Sequence, residues 1–271
     1  MTGIDYELEY NNRARVPEHP AVMAGWVRDA TAWRESHPPR RIAYGAGTRH
    51  VIDLFEGNGS GPIVVFIHGG YWQALDGSSF SHLARGLNAH GIGVAIPSYD
   101  LCPHVTVEEI IREMRMALRE LARLGRRLVV SGHSAGGHLA ACMLATHWNA
   151  LDASLPYDLV TAAYAISGLF DLTPLVNTSI NKALGLNEAA ATKASPLFWQ
   201  VPARGNLDAV VGEAESAEYF RQSRTIVEKW GRAGIATRFG TVAGANHFTA
   251  IAPLADPDSP MVFRLRELVA R

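Results

Sequence analysis

Arg127-Leu128-Val129-Val130-Ser131-Gly132-His133-Ser134-Ala135-Gly136-Gly137-His138 is the stretch whose reading decides the fold. It begins as a short apolar run, the length and composition of a buried strand. It ends in Gly-x-Ser-x-Gly and passes directly into Leu139-Ala140-Ala141-Cys142-Met143-Leu144, a compact helical segment. A strand, a tight turn and a helix around that serine make a nucleophile elbow, in which the hydroxyl is held out at the top of a sheet. The serine backbone there is strained, so its neighbours must be small, and Gly132, Ala135, Gly136 and Gly137 are. A glycine-rich turn with an incidental serine is the competing reading, and the strand and helix on the two flanks decide against it.

Outward from the elbow, apolar runs alternate with helical patterns. Pro62-Ile63-Val64-Val65-Phe66-Ile67 is a continuous, β-branched run, the mark of a strand covered on both faces of a parallel sheet. A helix over Phe80–Ala89 and a strand over Gly91–Pro97 follow. Thr106–Leu124 carries Val107, Ile110, Ile111, Met114, Leu118 and Leu121 at helical spacing, with Thr106 and Glu109 placed as a capping box. Leu159–Gly168 and Leu207–Gly212 read as strands, Ser216–Trp230 as a helix, Ala236–Val242 as the last strand, and Ser259-Pro260 as the start of a final helix. Arg41–Tyr44 and His50–Phe55 form an antiparallel edge hairpin, and Gly57–Gly61 a flexible turn. Repeated strand–helix units predict an α/β class with a mainly parallel central sheet and helices on both faces.

The 271 residues suit one such domain, residues 1–271. Within it, residues 1–40 are an N-terminal cap or edge segment. A helix over Pro20–Glu35 there, with Val22, Trp26, Ala30 and Trp33 on one face, serves as a cap, as part of a substrate entrance, or as both. Residues 169–200, interrupted by Pro174 and Pro196, are expected as a lid-like insertion over the carboxyl edge of the sheet. A net charge of -1 gives no electrostatic footprint for nucleic acid or for an anionic membrane surface. No apolar run is long enough to span a bilayer, and Met1–Glu9 has three acidic residues and no basic start, so a cytoplasmic location is expected. Cys102 and Cys142 lack metal-ligand spacing and read as free thiols. Neither a zinc pattern nor a phosphate loop nor a dinucleotide fingerprint occurs, so no metal and no cofactor are expected.

A serine hydroxyl needs a base, and a histidine base needs a carboxylate to fix its tautomer. In the α/β-hydrolase arrangement these come in the order serine, acid, histidine. Ser134 is then followed by His247, in the loop after the last strand. Glu215, in the loop after Leu207–Gly212, is the preferred acid; Glu213 and Glu218 compete locally, and Asp171 after the preceding strand is the distant alternative. The tetrahedral intermediate needs N–H donors, each worth about 3–4 kcal/mol when lost. His68-Gly69-Gly70-Tyr71-Trp72 after a buried strand fits that role, with Gly70 and Tyr71 as donors, Gly69 shaping the turn, and Ala135 supplying the other N–H. His68, His133 and His138 read as braces or packing groups. Tyr71, Trp72, Trp148, Phe170 and Trp199 are candidates for an aromatic leaving-group site, each also explicable as core packing.

Together, His68-Gly69-Gly70-Tyr71-Trp72 and Gly132-His133-Ser134-Ala135-Gly136-Gly137-His138 resemble the kynurenine formamidase (arylformamidase) branch of the α/β-hydrolases, near the hormone-sensitive-lipase-like esterases. Pro97–Pro103, Ile166–Leu172, Ser216–Ser223 and Gly244–Phe248 resemble further segments of that branch, from about Tyr44 to Phe248. The resemblance implies Ser134 as nucleophile, His247 as base, and as acid the residue before Ser216. The family usually has aspartate there, where this chain has Glu215. It also implies a cofactor-free serine hydrolase cleaving N-formyl-L-kynurenine to kynurenine and formate. A broader carboxylesterase or amidase is the runner-up, and a non-catalytic binding module on the same fold is the reading of another class. The expected partner is a small acyl substrate carrying an aromatic amine or ester; a homodimer stays open.

Overall fold

The computed structural model describes residues 3–58 and 60–271. Gly59, within the Gly57–Gly61 turn, and the first two residues of the N-terminal cap lie outside them. Eight strands form one sheet: β1 (Arg40–Ala43), β2 (Val51–Phe55), β3 (Ile63–Ile67), β4 (Val94–Pro97), β5 (Leu128–His133), β6 (Val160–Ile166), β7 (Asn206–Gly212) and β8 (Ala236–Val242). Their spatial order is β1-β2-β4-β3-β5-β6-β7-β8. The β1–β2 hairpin lies at one edge and β2 pairs antiparallel with β4; every other pairing is parallel.

Side-chain alternation explains why β3 is apolar throughout. Ile63, Val65 and Ile67 enter the core on one face, Val64 and Phe66 the core on the other. The first core receives Ile110, Met114, Leu118 and Leu121 from the helix Val107–Ala122, whose Thr106–Glu109 capping box is formed. It also receives the elbow helix Ala135–Leu144, all ten residues of which are buried. The second core takes Trp26 from the helix His19–Ser36, Phe80, and Val262 and Leu265 from the helix Pro260–Val269. Each large side chain so buried contributes about 1.5–3 kcal/mol before conformational entropy is subtracted. Arg34 fixes the His19–Ser36 helix to the sheet by donating to Asp53 of β2 at 2.5 Å and to Ser81 at 3.0 Å.

One segment differs from its sequence reading. The helix expected over Phe80–Ala89 starts earlier, as a 3-10 helix over Gly77–Leu83 that continues as an α-helix over Ala84–Asn88. Asp76 nucleates it by accepting from the Ser78 N–H at 3.0 Å. Residues 169–200 form a string of short helical turns whose Leu175, Leu184, Ala191 and Leu197 pack into the first core.

The parallel strands point their carboxyl ends to one side. The loops there carry His68–Trp72 after β3, Ser134 after β5, Ser167 after β6, Glu215 after β7 and His247 after β8. Ligand crevices of open α/β sheets lie at this edge.

Candidate active site

Ser134 stands between β5 and the elbow helix with φ 57° and ψ -117°. A non-glycine residue in that region costs about 1–3 kcal/mol, so surrounding contacts must hold it. They do: its N–H donates to the Ile166 carbonyl at 2.8 Å, and its carbonyl accepts from the His138 N–H at 3.1 Å. The demand for small neighbours is equally physical. A Cβ on Gly136 would lie 1.9 Å from the Ile67 carbonyl oxygen, so only glycine lets the elbow helix press against β3.

His247 lies in the loop after β8, and its Nδ1 is 2.7 Å from Glu215 Oε2. A carboxylate only accepts, so Nδ1 carries the proton and Nε2 is left as the basic nitrogen. The Glu215 side chain is fully buried and the His247 side chain nearly so. Burying a carboxylate is costly unless its oxygens are hydrogen-bonded. The other oxygen of Glu215 takes the Gly212 N–H at 2.7 Å and the Ser167 hydroxyl at 2.5 Å. Of the rival acids, Glu213 is exposed and bonds Thr241 and Gly244. Glu218 is committed to Arg221 and the Tyr10 hydroxyl. Asp171 closes a local turn onto Thr173. Only Glu215 meets His247. The glutamate's longer side chain fits because β7 ends three residues before it and the turn folds the carboxylate back onto the Gly212 N–H.

The three accessory histidines act as braces. His133 Nε2 donates to the His247 carbonyl at 2.9 Å, and burial, then the nearby His247, hold its pKa well below the usual value. His68 Nδ1 donates to the Gly69 carbonyl at 2.8 Å, and burial lowers its pKa to about 4. His138 Nε2 donates to the Ala194 carbonyl at 2.7 Å, which ties the elbow helix to the 169–200 segment.

The Gly69–Trp72 loop wraps against the elbow. Gly70, Tyr71 and Trp72 have φ of 104°, 49° and 56°, a run of left-handed residues. A Cβ on Gly69 would come within 3.0 Å of Ser134 Cβ, so this loop and the serine are in direct contact. Ala135 opens the elbow helix, where the first N–H groups have no intrahelical acceptor.

A cavity of about 440 Å³ opens beside these groups, lined by Gly70, Tyr71, His133 and His247 on the sheet side. Its other wall comes from the N-terminal segment through Tyr10, Asn12, Met23 and Trp26, with Ile180 from the 169–200 segment. The N-terminal segment is therefore both cap and cavity wall.

Of the five aromatic candidates, Tyr71 alone lines this cavity. Trp72 lies fully buried, edge-on to His138 at 5.0 Å between ring centres. Trp148 and Phe170 are buried in the first core. Trp199 sits in a separate surface depression under the Arg115 guanidinium, and its indole donates to Lys193. The aromatic wall is instead Tyr10, Trp26 and Phe248 with Tyr71.

Tyr219 and Asn12 are the polar residues that the sequence reading passed over. Asn12 Nδ2 donates to the Tyr219 hydroxyl at 2.7 Å. The Tyr71 hydroxyl donates to the Tyr10 carbonyl at 2.7 Å, so the 2.7 Å bond between the two tyrosines takes its proton from Tyr219. The Tyr219 ring lies 4.7 Å from that of His247. Burial raises its pKa, and Tyr71, Asn12 and Ser134 are its polar neighbours. Away from the cavity, His50, Asp100 and Glu113 bring one ligand atom each within 4.8 Å. His50 Nδ1 accepts from the Gly47 N–H, so its Nε2 carries a proton that faces the two carboxylates rather than a lone pair for a metal.

This sheet order, elbow and histidine–carboxylate pair define a class, and residues 64–249 match the family model described as alpha/beta hydrolase fold: the chain belongs to that family. Within it, the chain is 32% identical over 244 residues to kynurenine formamidase of Drosophila melanogaster, covering 84% of this chain and 80% of that one. It is 28% identical over 242 residues to kynurenine formamidase of Danio rerio, covering 85% and 81%. A solved structure, a putative thioesterase from Silicibacter sp. TM1040, superposes with a TM-score of 0.86 at 34% identity, covering 99% of this chain and 100% of that one. Among the described residues, no helix is long and apolar enough to cross a membrane.

Proposed function

We propose that the protein is a serine hydrolase of the arylformamidase type, cleaving N-formyl-L-kynurenine to kynurenine and formate. His247 Nε2 takes the Ser134 proton as the hydroxyl oxygen attacks the formyl carbon. The oxyanion is held by the N–H groups of Gly70 or Tyr71 and of Ala135. The C–N bond then breaks, His247 passes its proton to the departing arylamine nitrogen, and the formyl group stays on Ser134. Water, deprotonated by His247, releases formate and restores the serine.

The observation that carries this reading is the Glu215–His247 pair, with its buried, three-fold hydrogen-bonded carboxylate, beside a strained serine on the elbow. The relatives named kynurenine formamidase support the substrate, and a cavity of about 440 Å³ is of small-molecule size. The likeness to a putative thioesterase favours one second reading, a hydrolase of broader ester or thioester range. Comparing kcat/KM for N-formylkynurenine, a short p-nitrophenyl ester and an acyl thioester separates the two. The formamidase reading expects the formamide to lead by orders of magnitude; an ester or thioester lead of that size overturns it.

A further inference from the structure

We infer that the cavity reads an amino-acid end on the leaving group, with Arg13 taking its carboxylate and Glu7 facing its ammonium. This rests on the hydrolase reading above and names specificity-determining residues of the same site. Glu7 and Arg13 are the acidic and basic residues that line the cavity, and no ion pair joins them. Arg15, two residues on, is paired with Glu9 at 3.0 Å; Arg13 is exposed and has no partner among the described residues. Glu7 accepts from the Ser179 N–H and hydroxyl, both at 2.6 Å, and those bonds lower its pKa and keep it ionised.

Both charges are held in place by a clamped backbone. Tyr10 donates to Glu218 at 2.8 Å and accepts from Gln222 at 2.9 Å. Asn12 is buried and bonded to Tyr219, and Asn11 caps the short helix Asn12–Arg15 through the Ala14 N–H. Arg13 is thus presented between fixed residues, and little ordering is needed to use it. One cation and one anion, unpaired with each other at a cavity walled by Trp26 and Phe248, complement an aromatic amine that carries a zwitterion. A phosphate or a plain dianion would meet Glu7 as a like charge.

The test compares wild type, Arg13→Gln and Arg13→Lys on two substrate pairs. One pair is N-formylkynurenine and its decarboxylated counterpart; the other is O-acetyltyrosine and O-acetyltyramine. In each pair the read-out is the ratio of kcat/KM with the carboxylate to that without it. The ratio is expected to fall roughly tenfold in Arg13→Gln, the scale of one charge-assisted hydrogen bond, and to recover partly in Arg13→Lys. Glu7→Gln is expected to lower the corresponding ratio between O-acetyltyrosine and its deaminated counterpart. A wild type with no preference, or ratios unmoved in Arg13→Gln, overturns the inference. If the formamides are not cleaved but the ester ratio falls, the formamidase reading fails and the assignment of Arg13 stands.

Discussion

The two walls of the cavity are built on different rules. The sheet-side wall, which His133 and His247 line, is set by backbone: these two and their neighbours Ser134 and Glu215 lie at strand ends, and turns and short hydrogen bonds aim their side chains. The N-terminal wall is set by contacts across the chain. Asn12 reaches Tyr219, Tyr10 reaches Glu218, and the Tyr71 hydroxyl reaches back to the Tyr10 carbonyl. On the proposed mechanism, the first wall holds the reacting groups in a fixed geometry on the rigid sheet. The second shapes and polarises the space beside them, so damage to it should be read in substrate binding before it is read in chemistry.

The largest effect expected is on the sheet side. Glu215→Gln keeps the side-chain length but removes the charge that fixes the His247 tautomer, and kcat/KM should drop roughly 10³–10⁴-fold. Asp171→Asn, at a carboxylate that closes only its own turn, should change it less than threefold. The reverse pattern would move the acid to the end of β6. Asn12→Ala is next: it leaves Tyr219 without its donor and should lower kcat/KM about tenfold, mainly through KM. Trp199→Ala, outside the cavity, should leave kcat/KM within about twofold. Equal losses in those two variants would mean that the N-terminal wall acts only through general stability.

The smallest expected effect is the pH dependence of stability. His68 and His138 are kept neutral by burial, with pKa values of about 4 against an ordinary 6.5. The unfolded chain binds their protons first, so the stability they contribute is full above about pH 6.5 and is lost as pH falls towards 4. Urea midpoints should therefore decline over that window, and His138→Gln should flatten the decline. A midpoint independent of pH between 7 and 4.5 would contradict the account of these braces.

The same division explains what is legible in the sequence. Gly132–Gly137 announces the elbow because a strained serine restricts its immediate neighbours, and the Thr106–Glu109 box announces its helix through contacts three residues apart. Glu215 and His247 were legible because strand order alone brings their loops together. Tyr219, Asn12 and Ser167 carry no such local mark: each matters through a partner roughly 50 or more positions away in the chain. Trp72, Trp148 and Phe170 fail as pocket residues for a related reason. An aromatic ring has the same sequence neighbourhood whether it fills the core or faces a cavity, and here packing took all three.

The measurement closest to the central claim is labelling by a fluorophosphonate, followed by mapping of the modified peptide. The account predicts the phosphonyl group on Ser134, no label in Ser134→Ala, and labelling slowed at least about 100-fold in Glu215→Gln. An unmodified protein, or a label on any other residue, would contradict it.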